Sequence, residues 1–591
     1  MQTINDQITT KKLAARSYKG RRWQQQPRPD QEQCRRLARE LLRPLWQIEL
    51  LHQRQLHNAG QINDFIHPSL HNLPSPFEFK AMRPAARLIR EMAAKGRPLV
   101  IVGDYDVDGV TSAALLGRFL KHLSPRIFRC HPDRFKDGYG LKARLVTDCC
   151  PDCQGLVITV DCGISDSREV ESLKESGWQV IITDHHQPPP RLPEADVIIN
   201  PWLTGCSFPF KELAGVGVAF YLAMGIRNLL VAEGFWSKAE APNLKDMLDL
   251  VAVGTVADMV ELKGPNRILV KAGMEISGHK QNTGLRNLMA VSAARNKPLD
   301  AEYISFQLAP RLNAAGRMNH AELASELLAT DDDAEAAQMA RSLDLENSRR
   351  KELTSLISDQ ALEMASSDKS RCLLIHGRDW HEGLIGIVAS RVVEHFARPV
   401  IVMAGEGQLR GSARSIPGLN IYELLNRCGD LLTTFGGHAA AAGMSLAENK
   451  LPAFKERLEV ETKEMMSELD CQPVQPLDLY INQDMDLKEL LNFNELLQPF
   501  GQGNPEPIFF TDCALRNIRL IGKDKNHLRF EASFNHKWYK GIGFGLNNRA
   551  AQHLSNGHNQ CAIAFNLRYN QFRGQRNIEL QLLDFLMPEA E

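Results

Sequence analysis

From about residue 80 to 270, short apolar runs alternate with helix-like stretches. Leu99–Gly103, Leu156–Val160, Val180–Thr183 and Val197–Asn200 read as strands, with Thr111–Leu123 and Asp166–Ser176 as helices between them. Such alternation predicts a parallel sheet flanked by helices. Residues 332–366 contain no Gly or Pro, and Met339, Leu343, Leu353, Ile357, Ala361 and Met364 give them a partial apolar face, so one long helix is expected. Residues 371–465 alternate again. Strands are predicted at Arg371–His376, Pro399–Met403 and Gln408–Arg414, with a helix at Gly383–Phe396, which makes a second, smaller α/β domain. Beyond 475 the helices drop out. Ala514–Ile521, His527–Ser533, Tyr539–Phe544, Cys561–Tyr569 and Asn577–Phe585 read as five short strands, the pattern of a small OB-like β-barrel.

The 591 residues allow three or four domains. With 43% apolar and 24% charged residues and a net charge of −1, the chain reads as a soluble protein without a global basic field. No apolar run is read as a membrane helix, and the polar N-terminus lacks a signal-peptide core, so the expected location is cytoplasmic. Residues 1–30 are basic, through Lys11, Lys12, Arg16, Lys19, Arg21, Arg22 and Arg28; they read as a tail or an arm for an anionic partner. The twelve cysteines fit reduced thiols, with Cys150 and Cys153 as ordinary loop residues rather than zinc ligands.

Chemistry concentrates at strand ends. The first strand runs into Asp104, Asp106 and Asp108, the second into Asp161, and the third into Asp184-His185-His186. In an open parallel sheet, ligands bind beyond the carboxyl ends of the strands, so these groups are expected on one rim. The apolar run Leu248–Val256 delivers a further acid, Asp258. Carboxylates this dense repel one another unless a cation lies between them. A mixed carboxylate and imidazole set suits Mn²⁺, or Mg²⁺ with more water in its shell. About five such ligands make two ions plausible; a pair ~3.5–4 Å apart serves phosphoryl displacement.

Gly103-Asp-Tyr-Asp-Val-Asp-Gly109, Thr159-Val-Asp-Cys-Gly163, Thr183-Asp-His-His186 and Gly254-Thr-Val-Ala-Asp258 resemble successive motifs of the DHH phosphoesterase superfamily. Within it the chain resembles the RecJ family of single-strand-specific 5′-to-3′ DNA exonucleases. That likeness extends from about residue 75 through Arg134-Phe-Lys-Asp-Gly-Tyr-Gly140, Leu213-Ala-Gly-Val-Gly-Val-Ala-Phe220, Pro310-Arg-Leu-Asn-Ala-Ala-Gly-Arg317, Trp380-His-Glu-Gly383 and Phe435-Gly-Gly-His438. The resemblance implies Asp106, Asp108, Asp161, His185 and Asp258 as metal ligands, with Asp161 bridging. It implies His186 at the scissile phosphate and Asp184 orienting the histidines. Asp104 supports them, since the three acids of the first motif share a face only while the chain stays extended and Gly109 marks a turn. Cys162 stands where the family usually has Asn, beside Asp161.

The expected fold class is therefore α/β, with a basic tail and helical lead-in over 1–75 and a parallel-sheet DHH catalytic domain over 76–330. A connecting helix over 331–370, a DHH-associated substrate-binding domain over 371–470 and an OB-like single-strand-binding domain over 471–591 complete it. Arg311, Asn313 and Arg317 follow an Ala-Pro break that suits a loop presenting cations to phosphate. Gly411-Ser-Ala-Arg-Ser415 lets backbone N–H groups approach an anion, and Gly436-Gly437-His438 has the form of a loop opening a helix. Ser412 and Arg414, with Arg134 and Tyr139, are expected to hold a terminal 5′-phosphate; His438 is a further binding candidate. The β-rich C-terminal segment interleaves aromatics with bases, as a stacking platform for single strands does.

The function read from this is a two-metal exonuclease that degrades single-stranded DNA to mononucleotides in repair and recombination. It is expected to act as a monomer away from membranes, on strands supplied by a helicase or a single-strand-binding protein. Other DHH enzymes, acting on oligoribonucleotides, cyclic dinucleotides or pyrophosphate, need only the two α/β domains. A binding module with an inactive site would not need the full ligand set.

Overall fold

In the computed structural model, residues 17–586 are described, except 135, 152, 277–280, 293–296, 318–320, 468–471, 557–560 and 573–574. Two compact units emerge. One comprises residues 74–258 and 272–467, the other 17–73, 259–271 and 472–586.

The first unit is built on a five-stranded parallel sheet. Its strands are β1 (Leu99–Gly103), β2 (Ile127–Cys130), β3 (Leu156–Val160), β4 (Gln179–Thr183) and β5 (Val197–Ile199), in the order β2-β1-β3-β4-β5. Every residue of β1 and β3 is buried, as expected of central strands covered on both faces. Register decides the rim: Gly103 pairs with Val160 and Val160 with Thr183, so the next residues, Asp104, Asp161 and Asp184, emerge side by side. The short strand β2 was not anticipated, since Arg129 interrupts its apolar pattern.

Helix α1 (Val107–Leu120) follows β1 and α2 (Ala143–Cys149) follows β2. Then come α3 (Gly215–Ala232) and α4 (Leu248–Ala257), almost wholly buried. Contrary to the reading that no run matches a membrane helix, α3 is long and apolar enough to cross one, with mean hydropathy 1.6; yet 72% of it is buried inside the unit. It packs against α1 and α4 as a core helix. Next are α5 (Ala309–Arg317), α6 (Ala321–Ala329) and the long α7 (Asp333–Ser366), capped by Asp332.

A second sheet in this unit comprises β6 (Leu373–Gly377), β7 (Val400–Ala404), β8 (Gln408–Arg414), β9 (Thr434–Gly437) and β10 (Ala441–Ala447), ordered β9-β10-β8-β7-β6, with α8 (Ile385–Phe396) packed on it. The expected helix after His438 is strand β10 instead. Buried Ala442, Met444 and Leu446 alternate with more exposed neighbours, and that period of two outweighs the Gly-Gly lead-in.

In the other unit, residues 479–586 form a seven-stranded sheet. Beside the five anticipated strands it contains Leu479–Tyr480 and Phe509–Cys513. Helices Gln31–Glu40, Leu45–Gln53 and Ala59–Ile66 share its core. Strand Arg22–Gln25 pairs with Val474–Leu477, so Arg21 and Arg22 lie in ordered chain; Lys11, Lys12 and Arg16 lie outside the described residues. Cys150 and Cys153 form a disulfide, which corrects the expectation of free loop thiols; their Cα atoms are 5.6 Å apart, within bridging range.

Candidate metal and phosphate site

The rim of the first sheet gathers the acids, each held by a different backbone device. The chain turns earlier than Gly109. Asp106 is the N-cap of α1, its carboxylate accepting from the N–H groups of Asp108 (2.9 Å) and Gly109 (3.1 Å). Asp108 thus lies in the first turn of α1. Its two oxygens accept from the N–H groups of Gly215 (2.6 Å) and Val216 (2.8 Å) at the start of α3. That helix terminus favours negative charge, and the sequence reading missed it; the Gly-x-Gly at the head of an apolar helix was its only signal.

Asp161 follows β3 with φ of +61°, a left-handed conformation costly for a non-glycine residue. Its N–H donates to the Thr183 carbonyl (3.1 Å). The buried Cys162 thiol donates to the Val102 carbonyl (3.6 Å). Asp258 caps the C-terminus of α4.

His185 Nε2 lies 3.1 Å from Asp161 Oδ1, 3.6 Å from Asp258 Oδ2 and 4.0 Å from Asp108 Oδ2. Asp108, His185 and Asp258, and likewise Asp161, His185 and His186, offer ligand atoms within 4.8 Å of one another. Asp106 is not in either group, but its charge raises the pKa values of Asp108, Asp161 and Asp258.

The donor set fits a divalent cation. Asp161 Oδ1, His185 Nε2 and Asp258 Oδ2 are buried with no hydrogen-bond partner among the described residues. Orphaned buried lone pairs converging on one point are costly. Burial is the main cause of the raised carboxylate pKa values, with Asp108 pushed up to about 7 and Asp161 and Asp258 well above the usual range. Burial also lowers His185 to about 4, leaving a neutral imidazole suited to ligation.

Asp184 organises the histidines. Its Oδ1 accepts from the N–H groups of His185 (2.7 Å) and His186 (3.0 Å) and pairs with His186 Nδ1 (2.8 Å); its Oδ2 accepts from Ile164 N–H (3.0 Å). Burial works against charge on His186, but the Asp184 hydrogen bond and nearby carboxylates outweigh it, and its pKa is raised. The Tyr139 hydroxyl lies 3.1 Å from His186 Nδ1 and 3.3 Å from the Asp161 carbonyl. Asp104 is 3% exposed, stands outside both ligand groups, and is pushed up to about 8 by burial.

The cation candidates separate. Arg134 lies over the Tyr105 ring, 5.3 Å from its centroid, next to the acidic motif. Arg414 Nη1 donates to Ser412 Oγ (2.9 Å), and Gly386 in the first turn of α8 approaches both side chains. Ser412 pairs across the sheet with Gly443, and Gly443 with Gly436; a Cβ on either glycine would meet nothing within 4 Å. A strip of bare backbone therefore adjoins Arg414. His438 is exposed in the β9–β10 turn.

Arg311 does not fit the expected loop. It is buried in α5, with Nε donating to Asp344 on α7 (2.9 Å) and Nη1 to the Gln307 carbonyl (2.7 Å). Pro310 does not break the helix: residues 301–317 are helical without interruption, and the π-helical stretch Ile304–Leu308 lies directly before α5. Asn313 is half-buried on the same helix, and the Arg317 side chain lies outside the described residues.

Comparison with known proteins is consistent along the chain. Residues 98–255 match the DHH family, N-terminal domain; residues 369–464 match the DHHA1 domain; residues 477–584 match the RecJ OB domain. The single-stranded-DNA-specific exonuclease RecJ of Escherichia coli (strain K12) is 37% identical over 534 residues, covering 86% of this chain and 91% of that protein. Its Bacillus subtilis (strain 168) counterpart is 35% identical over 576 residues, covering 96% of this chain and 71% of that protein. Among solved structures, RecJ of Thermus thermophilus in complex with Mn²⁺ superposes with a TM-score of 0.81 at 31% identity, over 96% of this chain and 80% of that one. The same protein in complex with Mg²⁺ gives a TM-score of 0.75 at 29% identity, over 96% and 79%.

Proposed function

The chain belongs to the RecJ family of single-stranded-DNA-specific exonucleases, and from that premise we propose that it hydrolyses single-stranded DNA from the 5′ end, releasing mononucleotides for repair and recombination. The observation that carries the reading is the convergence of Asp108, Asp161, His185 and Asp258 on one point, with Asp106 beside them. These five residues would hold two divalent ions, Mn²⁺ or Mg²⁺, with Asp161 shared. Bound there, such ions supply an activated water and neutralise the charge that develops on the phosphate.

The chain's own groups do the rest. Asp184 holds His186 by Nδ1, so the ring presents Nε2 to a phosphate oxygen, and the raised pKa favours the imidazolium form that donates from that nitrogen. Tyr139 braces the same imidazole. Ser412 and Arg414, beside the bare strip at Gly443 and Gly436, take the terminal 5′-phosphate, with Arg134 placed near the acidic motif. Hydrolysis breaks the bond from phosphorus to the 3′-oxygen and leaves a new 5′-phosphate on the shortened strand, so each turnover regenerates the end that is read. The OB domain supplies the stacking and cationic surface for the remaining strand. The protein works as a cytoplasmic monomer on strands delivered by a helicase or a single-strand-binding protein.

Incubation of 5′-labelled single strand, its duplex and a short RNA with Mn²⁺ tests the activity. Mononucleotides from the single strand alone are expected; cleavage confined to RNA of two to five nucleotides would refute it. Arg414→Ala should lose more activity on 5′-phosphorylated than on 5′-hydroxyl strands, and equal losses would remove Arg414 from end recognition. Asp161→Ala should abolish cleavage in a soluble protein; retained turnover would refute the shared-ligand role.

A further inference from the structure

Cations collect on the long helix α7 without carboxylate partners. Arg350 is half-buried, and its Nε (3.3 Å) and Nη2 (3.0 Å) donate to Asn347 Oδ1 one turn earlier. That contact orients the amide: Oδ1 meets the guanidinium, and Nδ2 is left as the free end. Asn347 is 1% exposed, and Nδ2 is buried with no hydrogen-bond partner among the described residues. A buried donor without an acceptor is costly. Arg391 reaches α7 from α8, its Nη1 donating to Ser358 Oγ (3.2 Å). The partners of the two arginines are thus neutral oxygens, and among the described residues no carboxylate pairs with either. Burial lowers the Arg350 pKa, and the charge of Arg391 adds to it. Lys351 is lowered as well, by burial and then by Arg311 and Arg350, while Asp344 is engaged by Arg311.

The helices that supply these cations also lead to the proposed phosphate-handling groups. α8 packs on α7 through a buried apolar seam that includes Ile357, Ala361, Val388 and Val392. In its first turn Gly386 approaches Ser412 and Arg414, and Arg391 lies about 7.5 Å further along the same helix. On α5, a Cβ at Gly316 would stand 2.6 Å from the carbonyl oxygen of Tyr105 in the acidic motif, and Arg311 of that helix acts on Lys351. Unpaired cations adjoining a site that reads phosphate suit the backbone of a single strand, whose charge recurs at every linkage.

We propose that α7 carries a further phosphate site, in which the Arg350 guanidinium and Asn347 Nδ2, with Arg391 adding its charge, take an internucleotide phosphodiester of the substrate strand. A guanidinium fork matches two phosphate oxygens, and Asn347 pre-orients that of Arg350. The phosphodiester also supplies the acceptor that buried Nδ2 lacks. The contact reads charge rather than base, so it serves a strand of any sequence. Resting on the reading of the chain as a single-strand exonuclease, it gives the strand a hold besides the metal rim and the terminal 5′-phosphate.

The test is binding of a 3′-labelled single strand to the full chain by fluorescence anisotropy, in EDTA and over a range of KCl concentrations. Each phosphate contact on a single strand contributes about 0.7 to the slope of log K against log salt. Arg350→Gln/Arg391→Gln should make that slope shallower by about 0.7, or about fivefold in affinity for a tenfold change in salt. Arg391→Gln alone, at an exposed position that leaves the fold intact, should shift it the same way, and Arg350→Lys/Arg391→Lys should keep it. In strands with one linkage replaced by an uncharged methylphosphonate, wild-type protein should lose affinity at one internal linkage where the double Gln variant loses none. An unchanged slope in Arg391→Gln and in the double variant, or identical methylphosphonate losses in wild type and variant, would overturn the site. An unchanged slope with weakened calorimetric binding of inorganic phosphate would overturn the strand as its ligand in favour of a free anion. Failure of the exonuclease reading would show separately, as wild-type protein that leaves the single strand uncut in Mn²⁺.

Discussion

Gly215→Ala tests whether the rim works by close packing. A Cβ at position 215 would stand 2.6 Å from Asp161 Cβ and 2.7 Å from its Oδ1. Ordinary contact begins at 3.4 Å, so the Asp161 side chain must retreat by about 0.8 Å, the difference between 3.4 and 2.6 Å. Asp161 has little freedom to yield, because its backbone is already left-handed and tied to Thr183. The Gly215 N–H also donates to Asp108, so two of the proposed ligands move together. Metal–ligand distances tolerate only ~0.2 Å, and a displacement near 1 Å in a reacting constellation costs on the order of 10²-fold, or about 2.7 kcal/mol of barrier. The expected phenotype is kcat on a 5′-labelled single strand reduced about a hundredfold, with weaker Mn²⁺ binding by calorimetry. Overpacking should lower stability by about 1–3 kcal/mol and leave a folded protein. Wild-type kcat and Mn²⁺ affinity in folded Gly215→Ala would refute the argument that this glycine sets the position of Asp161.

Three further outcomes follow from the electrostatics and the core. Without a cation, the raised folded-state pKa of Asp108, about 7 against ~3.9 unfolded, contributes stability only at low pH and loses it as pH rises through about 7; the gain in Tm on adding Mn²⁺ should therefore be larger at pH 8 than at pH 5, and equal gains would contradict it. Since Asp184 raises the His186 pKa, the imidazolium persists below that value and is lost as pH rises through it; Asp184→Asn should move the alkaline limb of kcat/KM to lower pH, and an unmoved limb would exclude the cationic role. Arg267 is buried against Phe65 and donates to the carbonyls of Phe65, Leu496 and Leu497; Arg267→Leu strands those acceptors at about 1–3 kcal/mol each and should lower the urea midpoint, whereas an unchanged midpoint would show that water replaces the guanidinium.

The sequence by itself determined the strands whose apolar runs are unbroken, and with them the rim. Val160 and Thr183 end strands that are buried wholly or in all but the first residue, and a buried parallel strand can be followed only by a turn at the sheet edge, so the acids after them were bound to collect there. The long helix over 333–366 was equally legible, since nothing in it breaks a helical period. Tertiary structure decided what each side chain faces. Pro310 reads locally as a break, yet α5 runs through it and turns Arg311 inward to Asp344, a partner far along the chain. Gly436-Gly437 reads as the start of a helix, yet pairing with β10, which itself pairs with β8, makes it a strand. The support for Asp108 from the start of α3 depends on a contact between distant segments. Periodicity records which face of an element is buried; it carries no record of which buried groups will meet.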